Sequence, residues 1–520
     1  MLARVATSMG HGEKAVQGYQ AALAASPGNR TIAEGAFAQA LSAGDRPLAV
    51  TSARILEESG GVSFQVRLVL IAEAVRGSDW AGAEKQIAAL NRDDVFSFMS
   101  PIMRAWIAVG SKADDPLAQL SRLSANTIGG VYAQEHKPLL MLALGQDKEG
   151  LAELRNRIVE RDTRGERLKL AGAAYLARKG KRKDAIALLD SSFGMVANAR
   201  TWLEQKRKLR TEIATPAQGM AELFLRLSLD LERQNDPKLA LSFARLATFL
   251  APEQSEAWLV TSALLTEINQ ERDALTALGN IPVDDPADVV ASDLRVRLLA
   301  QTGEEDVALD HARKATSARD ARSGDWERLG DLYSQLGRNQ DAAGAYGQAL
   351  QVNTSRGSTA EADWRLWLSK GGALDQAGQW PEAKAALETA YKLAPREPTV
   401  LNYLGYAQLT RRENLVEAEN LIRQARRFNP ESAQITDSLG WARFLRGDSV
   451  EAIRLLERAV MSEPNDATIN EHLGDAYYSV GRRFEARYAW RAALVTAADK
   501  DAGRLRAKID QGFTAELASP

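Results

Sequence analysis

The stretch Ala433–Asp466 reads AQITDSLGWARFLRGDSVEAIRLLERAVMSEPND. Apolar residues recur three and four apart on both sides of Gly447, the pattern of two short amphipathic helices joined by a tight turn. The first helix must end in a left-handed residue for the chain to double back, and glycine takes that conformation without strain. Asp448, three residues before Glu451, supplies a polar cap for the second helix.

The turn glycine then serves as a ruler for the whole chain. Gly10, Gly44, Gly77, Gly110, Gly145 and Gly180 are separated by 34, 33, 33, 35 and 35 residues. Asn235, Asn269, Gly303 and Gly337 follow at intervals of 34, asparagine being the next residue after glycine to accept a left-handed turn. Gly378 comes 41 residues later, Gly447 another 69, with Arg412 filling the skipped turn, and Gly481 a further 34. Such a period means one helical hairpin repeated along a solenoid, a fold with no upper limit on chain length.

Composition agrees. Hydrophobic residues make up 45% of the 520 and aromatics only 6%, with Ala and Leu dominant, which suits helix-on-helix packing. A net charge of −2 gives no general pull toward nucleic acid or anionic lipid. With no cysteine, disulfides, thiolate metal sites and cysteine nucleophiles are excluded. The longest apolar run, Leu68–Val75, is interrupted by Glu73 and falls short of a membrane span. No phosphate-binding loop, dinucleotide fingerprint, serine elbow or HExxH pair is present, and His11, His136, His311 and His472 are isolated in sequence. No cofactor and no enzymatic activity are expected.

Letters inside the repeats are specific. Trp326, Leu329, Gly330, Tyr333, Ala342, Tyr346 and Ala349 stand at the spacing of the tetratricopeptide repeat (TPR), which this unit resembles closely. Trp367, Gly371, Leu374, Ala383, Leu387, Ala390 and Pro395 repeat it, as do Leu404, Gly405, Ala418, Ile422, Ala425 and Pro430. Leu439, Gly440, Ala452, Leu456, Ala459 and Pro464 follow, then Leu473, Gly474, Tyr477, Ala486, Trp490 and Ala493. The resemblance implies an all-α fold, a right-handed α-solenoid (superhelix) of about fourteen TPR and TPR-like hairpins. The last repeats and the TPAQGMAELF junction at 215–224 also resemble a broad group of proteobacterial TPR proteins of uncertain role.

Taken in order, the expected organisation is a degenerate TPR-like solenoid over 1–190 and an irregular junction or hinge over 191–220. TPR repeats follow over 221–354, a polar loop over 355–363, the best-conforming repeats over 364–500, and a capping helix and tail over 501–520. In that last segment Leu505, Ile509 and Phe513 recur every four residues, suited to closing the final repeat. At the other end, counting back from Gly10 places the start of the first helix before Met1, so an upstream extension is expected. As written the chain would stay in the cytoplasm. With an upstream signal segment, which the resembling proteins commonly carry, it would be periplasmic or exported.

Most signature letters are packing letters. The residues free to vary on the first helix of each hairpin, whose inner face lines the groove in the TPR family, are the candidate site. Helical spacing selects Asn402, Tyr406, Asp437, Trp441, Phe444, Glu471, Asp475 and Tyr478, an alternation of aromatic and acidic groups. Such a groove favours a partner segment that is apolar with Lys or Arg. TPR modules that clamp a terminal carboxylate use Lys, Asn and Arg here, and this sequence offers acids instead. Arginines on the second helices, and the run Arg178–Lys183 around Gly180, read as solvated, partly paired charge.

The expected function is a non-catalytic scaffold or adaptor that holds a protein or peptide partner in its groove, without nucleic acid, cofactor or metal. The alternative is an accessory subunit of a bacterial cell-envelope or polymer assembly enzyme complex.

Overall fold

A computed structural model describes residues 3, 12–60, 62–90, 96–112, 115–158, 163–190, 194–318, 321–355 and 363–518. Among the described residues there are 29 α-helices and no strand. None of these helices is long and apolar enough to cross a membrane. The chain divides into two compact units, Met1–Ala308 and Leu309–Pro520.

The second unit is the regular one. Helices pair in antiparallel hairpins: Ser323–Gln335 with Asn339–Ser355, Trp364–Gln376 with Trp380–Leu393, and Pro398–Thr410 with Leu415–Phe428. Ala433–Leu445 then pairs with Ser449–Ser462, Ala467–Ser479 with Arg483–Thr496, and Asp499–Gln511 closes the stack. The helix starts are capped as their sequence dictates: Ser432 Oγ, Asp448 Oδ1 and Asp466 Oδ1 accept from the backbone N–H of Ile435, Glu451 and Ile469.

The signature glycines mark where the two helices of a hairpin cross. A Cβ on Gly330, Gly371, Gly405 or Gly440 would stand 2.7–2.8 Å from Tyr346, Leu387, Ile422 or Leu456, and one on Gly474 would overlap Trp490. Three of those four partners lie sixteen residues on, whereas Ile422 lies seventeen residues after Gly405. The extra residue sits in the turn before Leu415, where Arg412 (φ 53°) and Asn414 (φ 45°) are both left-handed.

Left-handed residues fall on the ruler at Gly44, Gly145, Gly180, Asn235, Asn269, Gly303, Gly337, Gly378, Arg412, Gly447 and Gly481. Two positions differ. At Gly77 the left-handed residue is the next one, Ser78, and Gly110 lies inside the helix Ser100–Ser111, which ends at left-handed Lys112. Gly110 is small for a tertiary reason: a Cβ there would stand 2.7–2.8 Å from Trp80 and Pro216. Gly10 and the expected helix start before Met1 lie outside the described residues.

In the first unit the hairpin Pro216–Arg233 and Pro237–Leu250 packs onto the first helices of earlier repeats. From Phe243 to Leu250 every residue is buried, so this helix has no solvent stripe and must be surrounded. Phe243 lies 5.2 Å from Phe96, 5.9 Å from Phe224 and 6.5 Å from Phe64, centroid to centroid. Gly219 lies flat against Trp106, and Tyr132 donates to Asp230 at 2.6 Å.

The expected junction over 191–220 lies within the first of these compact units. Of that junction, residues 191–193 lie outside the described residues. The remainder holds a helix, Gly194–Glu204, and a non-helical run into Thr215, which caps Pro216–Arg233 through a box with Gln218. Most of the expected polar loop, 356–362, also lies outside the described residues.

Candidate partner-binding face

Three consecutive first helices carry the eight candidate residues. Asn402 and Tyr406 lie on Pro398–Thr410, Asp437, Trp441 and Phe444 on Ala433–Leu445, and Glu471, Asp475 and Tyr478 on Ala467–Ser479. None of the eight is exposed. Asp437, Trp441, Glu471 and Asp475 are buried, and the other four are half-buried.

At the middle of the patch the Trp441 indole is stacked between His472, at 4.1 Å and 11°, and Phe444, at 4.8 Å and 16°. Trp441 is 1% exposed and His472 0%. His472 Nδ1 lies 2.9 and 3.0 Å from the two carboxylate oxygens of Asp437. A carboxylate only accepts, so Nδ1 carries the proton and donates. The Tyr406 ring sits 6.5 Å from that imidazole, and burial, with the Asp437 and Glu471 carboxylates nearby, pushes its phenol well above the usual range.

One turn further along, the patch is occupied by the chain itself. Lys508 of helix Asp499–Gln511, 0% exposed, places Nζ 2.6 Å from Glu471 and 2.7 and 2.8 Å from the Asp475 oxygens. Arg504 grips Glu471 with two bonds of 2.8 and 2.9 Å. Asp475 also accepts from the Trp490 indole at 2.9 Å. Phe513 meets Phe444 edge-on at 6.1 Å and Tyr478 at 6.4 Å.

The two acids respond differently. Burial alone would raise Glu471, but the Arg504 and Lys508 cations hold it below the usual carboxylate range. Burial dominates at Asp475, more deeply enclosed, and keeps its carboxyl above that range despite Lys508.

Asp437, Trp441, Phe444, Glu471, Asp475 and Tyr478 thus join into one surface through His472 and the C-terminal helix, with Tyr406 at its edge. Asn402 stands apart from these contacts. Among the described residues, Asn402 Oδ1, Trp441 Nε1 and His472 Nε2 are buried with no hydrogen-bond partner. Sequence reasoning had set His472 aside as an isolated histidine, and it did not pair Arg504 and Lys508 with the acids. The signal was there: two cations four residues apart and two acids four residues apart.

Several second-helix arginines are paired, Arg454 with Glu451 at 2.6 Å, Arg482 with Glu485 at 2.9 Å, and Arg423 with buried Glu419. The basic run around Gly180 is an exposed turn, with Arg178 and Lys179 paired to Glu212 and Asp147. Among the described residues no group of three or more His, Asp or Glu side chains is placed to hold a metal ion.

Stacked antiparallel hairpins with a tight glycine crossing in each define a helical-repeat protein, whose side chains offer an extended face. Residues 327–383 and 368–433 match the family model of the tetratricopeptide repeat. Residues 327–433 thus carry tetratricopeptide repeats, of a family that is generally non-catalytic and binds protein partners.

No curated protein matches the chain in sequence. Similar solved structures include a TPR protein from Parabacteroides merdae, at 14% identity and a TM-score of 0.41, over 51% of this chain and 98% of that one. A thermophilic TPR protein of Thermus thermophilus is 24% identical over 36% of this chain and 98% of its own, with a TM-score of 0.31. MamA from Desulfovibrio magneticus is 18% identical over 32% of this chain and 91% of its own, with a TM-score of 0.29.

Proposed function

We propose that this protein is a non-catalytic interaction scaffold, and that the first-helix face of residues 398–479 holds a partner segment that is apolar and basic. The observation that carries the reading is the chemistry of the face. Three carboxylates, Asp437, Glu471 and Asp475, lie among the rings of Tyr406, Trp441, Phe444 and Tyr478, and the groups seated on them are an Arg, a Lys and a Phe. Buried carboxylates in an aromatic setting are costly to leave unpaired and so favour cationic partners. Neither the family match nor this geometry favours an accessory-subunit role over a scaffold.

Half-buried Tyr406 and Phe444 offer ring area to a partner without forming the centre of the core. In a titration followed by fluorescence anisotropy, a designed amphipathic helix with basic residues four apart binds the full chain, and its acidic counterpart does not. Tyr406→Ala with Phe444→Ala weakens that binding about tenfold, roughly 1.4 kcal/mol. Equal binding of the two peptides, or no effect of the double substitution, counts against the reading.

A further inference from the structure

We propose that helix Asp499–Gln511, with Phe513, is a built-in stand-in for the partner, which an incoming helix of the same pattern displaces. The inference rests on the reading of the face as a partner site and names the partner's chemistry: an amphipathic helix with two cations four residues apart, an apolar residue after each, and an aromatic five residues beyond the second. In this chain those positions are Arg504, Leu505, Lys508, Ile509 and Phe513.

Three features set the helix apart from a plain apolar cap. Only Leu505 and Lys508 are buried on it, so much of its anchoring is ionic. A buried Lys with two carboxylates is seldom more stabilising than an apolar residue of similar volume, since both ions must be stripped of water. What the arrangement supplies instead is selectivity for a cation at that place.

The connection differs as well. Four residues link each of the hairpins ending at Leu393, Phe428 and Ser462 to the next first helix, whereas two, Ala497 and Ala498, both extended (ψ 145° and 150°), link this one. It is appended to the stack by a short linker of its own. At its far end Gly512 has φ 91°, and a Cβ there would overlap the Tyr478 hydroxyl. That glycine lets the chain reverse tightly over Tyr478 and lay Phe513 onto Phe444 of the preceding repeat. The segment thus spans two repeats of the face, as an external ligand would.

A tethered occupant on a short linker competes at an effective concentration in the millimolar range. For a segment of about 100 μM intrinsic affinity this masks the site about tenfold. The test uses a labelled synthetic peptide of residues 499–515 added to the full chain, to Phe513→Ala, and to Arg504→Glu with Lys508→Glu. The charge reversals set like charges against Glu471 and Asp475 and release the helix, while Phe513→Ala removes only the aromatic anchor and leaves the repeats intact.

The expected order of affinity is full chain weakest, Phe513→Ala intermediate, and the double reversal about tenfold tighter than the full chain. A charge-reversed peptide binds none of them. Binding of peptide 499–515 within twofold across all three forms overturns the proposal, since the helix then does not occupy the site. If the designed basic helix binds the full chain but peptide 499–515 binds no form, the partner face stands and the stand-in is overturned. If neither peptide binds any form, both readings fall.

Discussion

Trp441→Ala lowers the stability of the C-terminal unit by about 3–5 kcal/mol, the usual cost of emptying a buried tryptophan site. The indole is 1% exposed and stacked on both faces, against His472 and Phe444. Its removal opens a cavity flanked by the buried Asp437–His472 pair, two polar groups that cannot collapse into an apolar space without losing their bond. Chemical denaturation read by far-UV circular dichroism gives the size of the loss. A change below about 1 kcal/mol would mean that the ring contributes to a binding surface and little to the core.

Trp441 also shows where sequence reasoning stopped. Helical spacing gathers Asp437, Trp441, Phe444, Glu471, Asp475 and Tyr478 on one face, because a 3.6-residue period dictates direction. Direction does not reveal what lies in front of a side chain. Lys508 is 37 residues from Glu471, and only tertiary structure brings it there.

The repeat itself was legible at the level of single letters: the crossing glycines face the large residues that the TPR pattern names. The ruler slipped at Gly77, where the next residue, Ser78, is the left-handed one, and at Gly110, a glycine kept small by Trp80 and Pro216 two residues before left-handed Lys112. Least visible was the packing of hairpin 216–250 on earlier repeats. Its signal was the run Phe243–Leu250, apolar but for Arg245 and Thr248, which a solenoid repeat does not need.

That same hairpin creates the second large effect, an acid sensitivity in the N-terminal unit. His136 is 1% exposed, and its Nδ1 accepts from the Trp106 indole at 3.1 Å, which requires a neutral ring. Burial, with the nearby Arg167 cation and against the pull of Glu222, lowers its pKa from 6.5 to about 4. Between those values the unfolded chain binds a proton that the folded chain refuses, so stability falls as pH falls through this window.

At about 1.4 kcal/mol per unit, the loss reaches roughly 3 kcal/mol by pH 4. His136→Gln keeps an acceptor for Trp106 but takes no proton. Unfolding measured at pH 7.5 and pH 4.5 shows the wild-type chain losing about 2.5 kcal/mol more than the Gln variant over that interval. Equal losses would place the acid sensitivity in other groups.

In both units the chain covers its own first-helix faces, but by different means. In the N-terminal unit a complete hairpin is built in, its second helix buried all round from Phe243 to Leu250. In the C-terminal unit a single helix is held largely by ion pairs to two buried acids. Only the second kind of cover is suited to exchange, because an incoming segment can replace each of its contacts in kind.

Hydrogen exchange of the full chain, with and without the designed basic helix, reads the displacement of the C-terminal helix. Ala467–Ser479 is expected to keep or gain protection when peptide is added, while Asp499–Gln511 loses it. Unchanged exchange in both helices, with new protection on another part of the chain, would contradict that displacement.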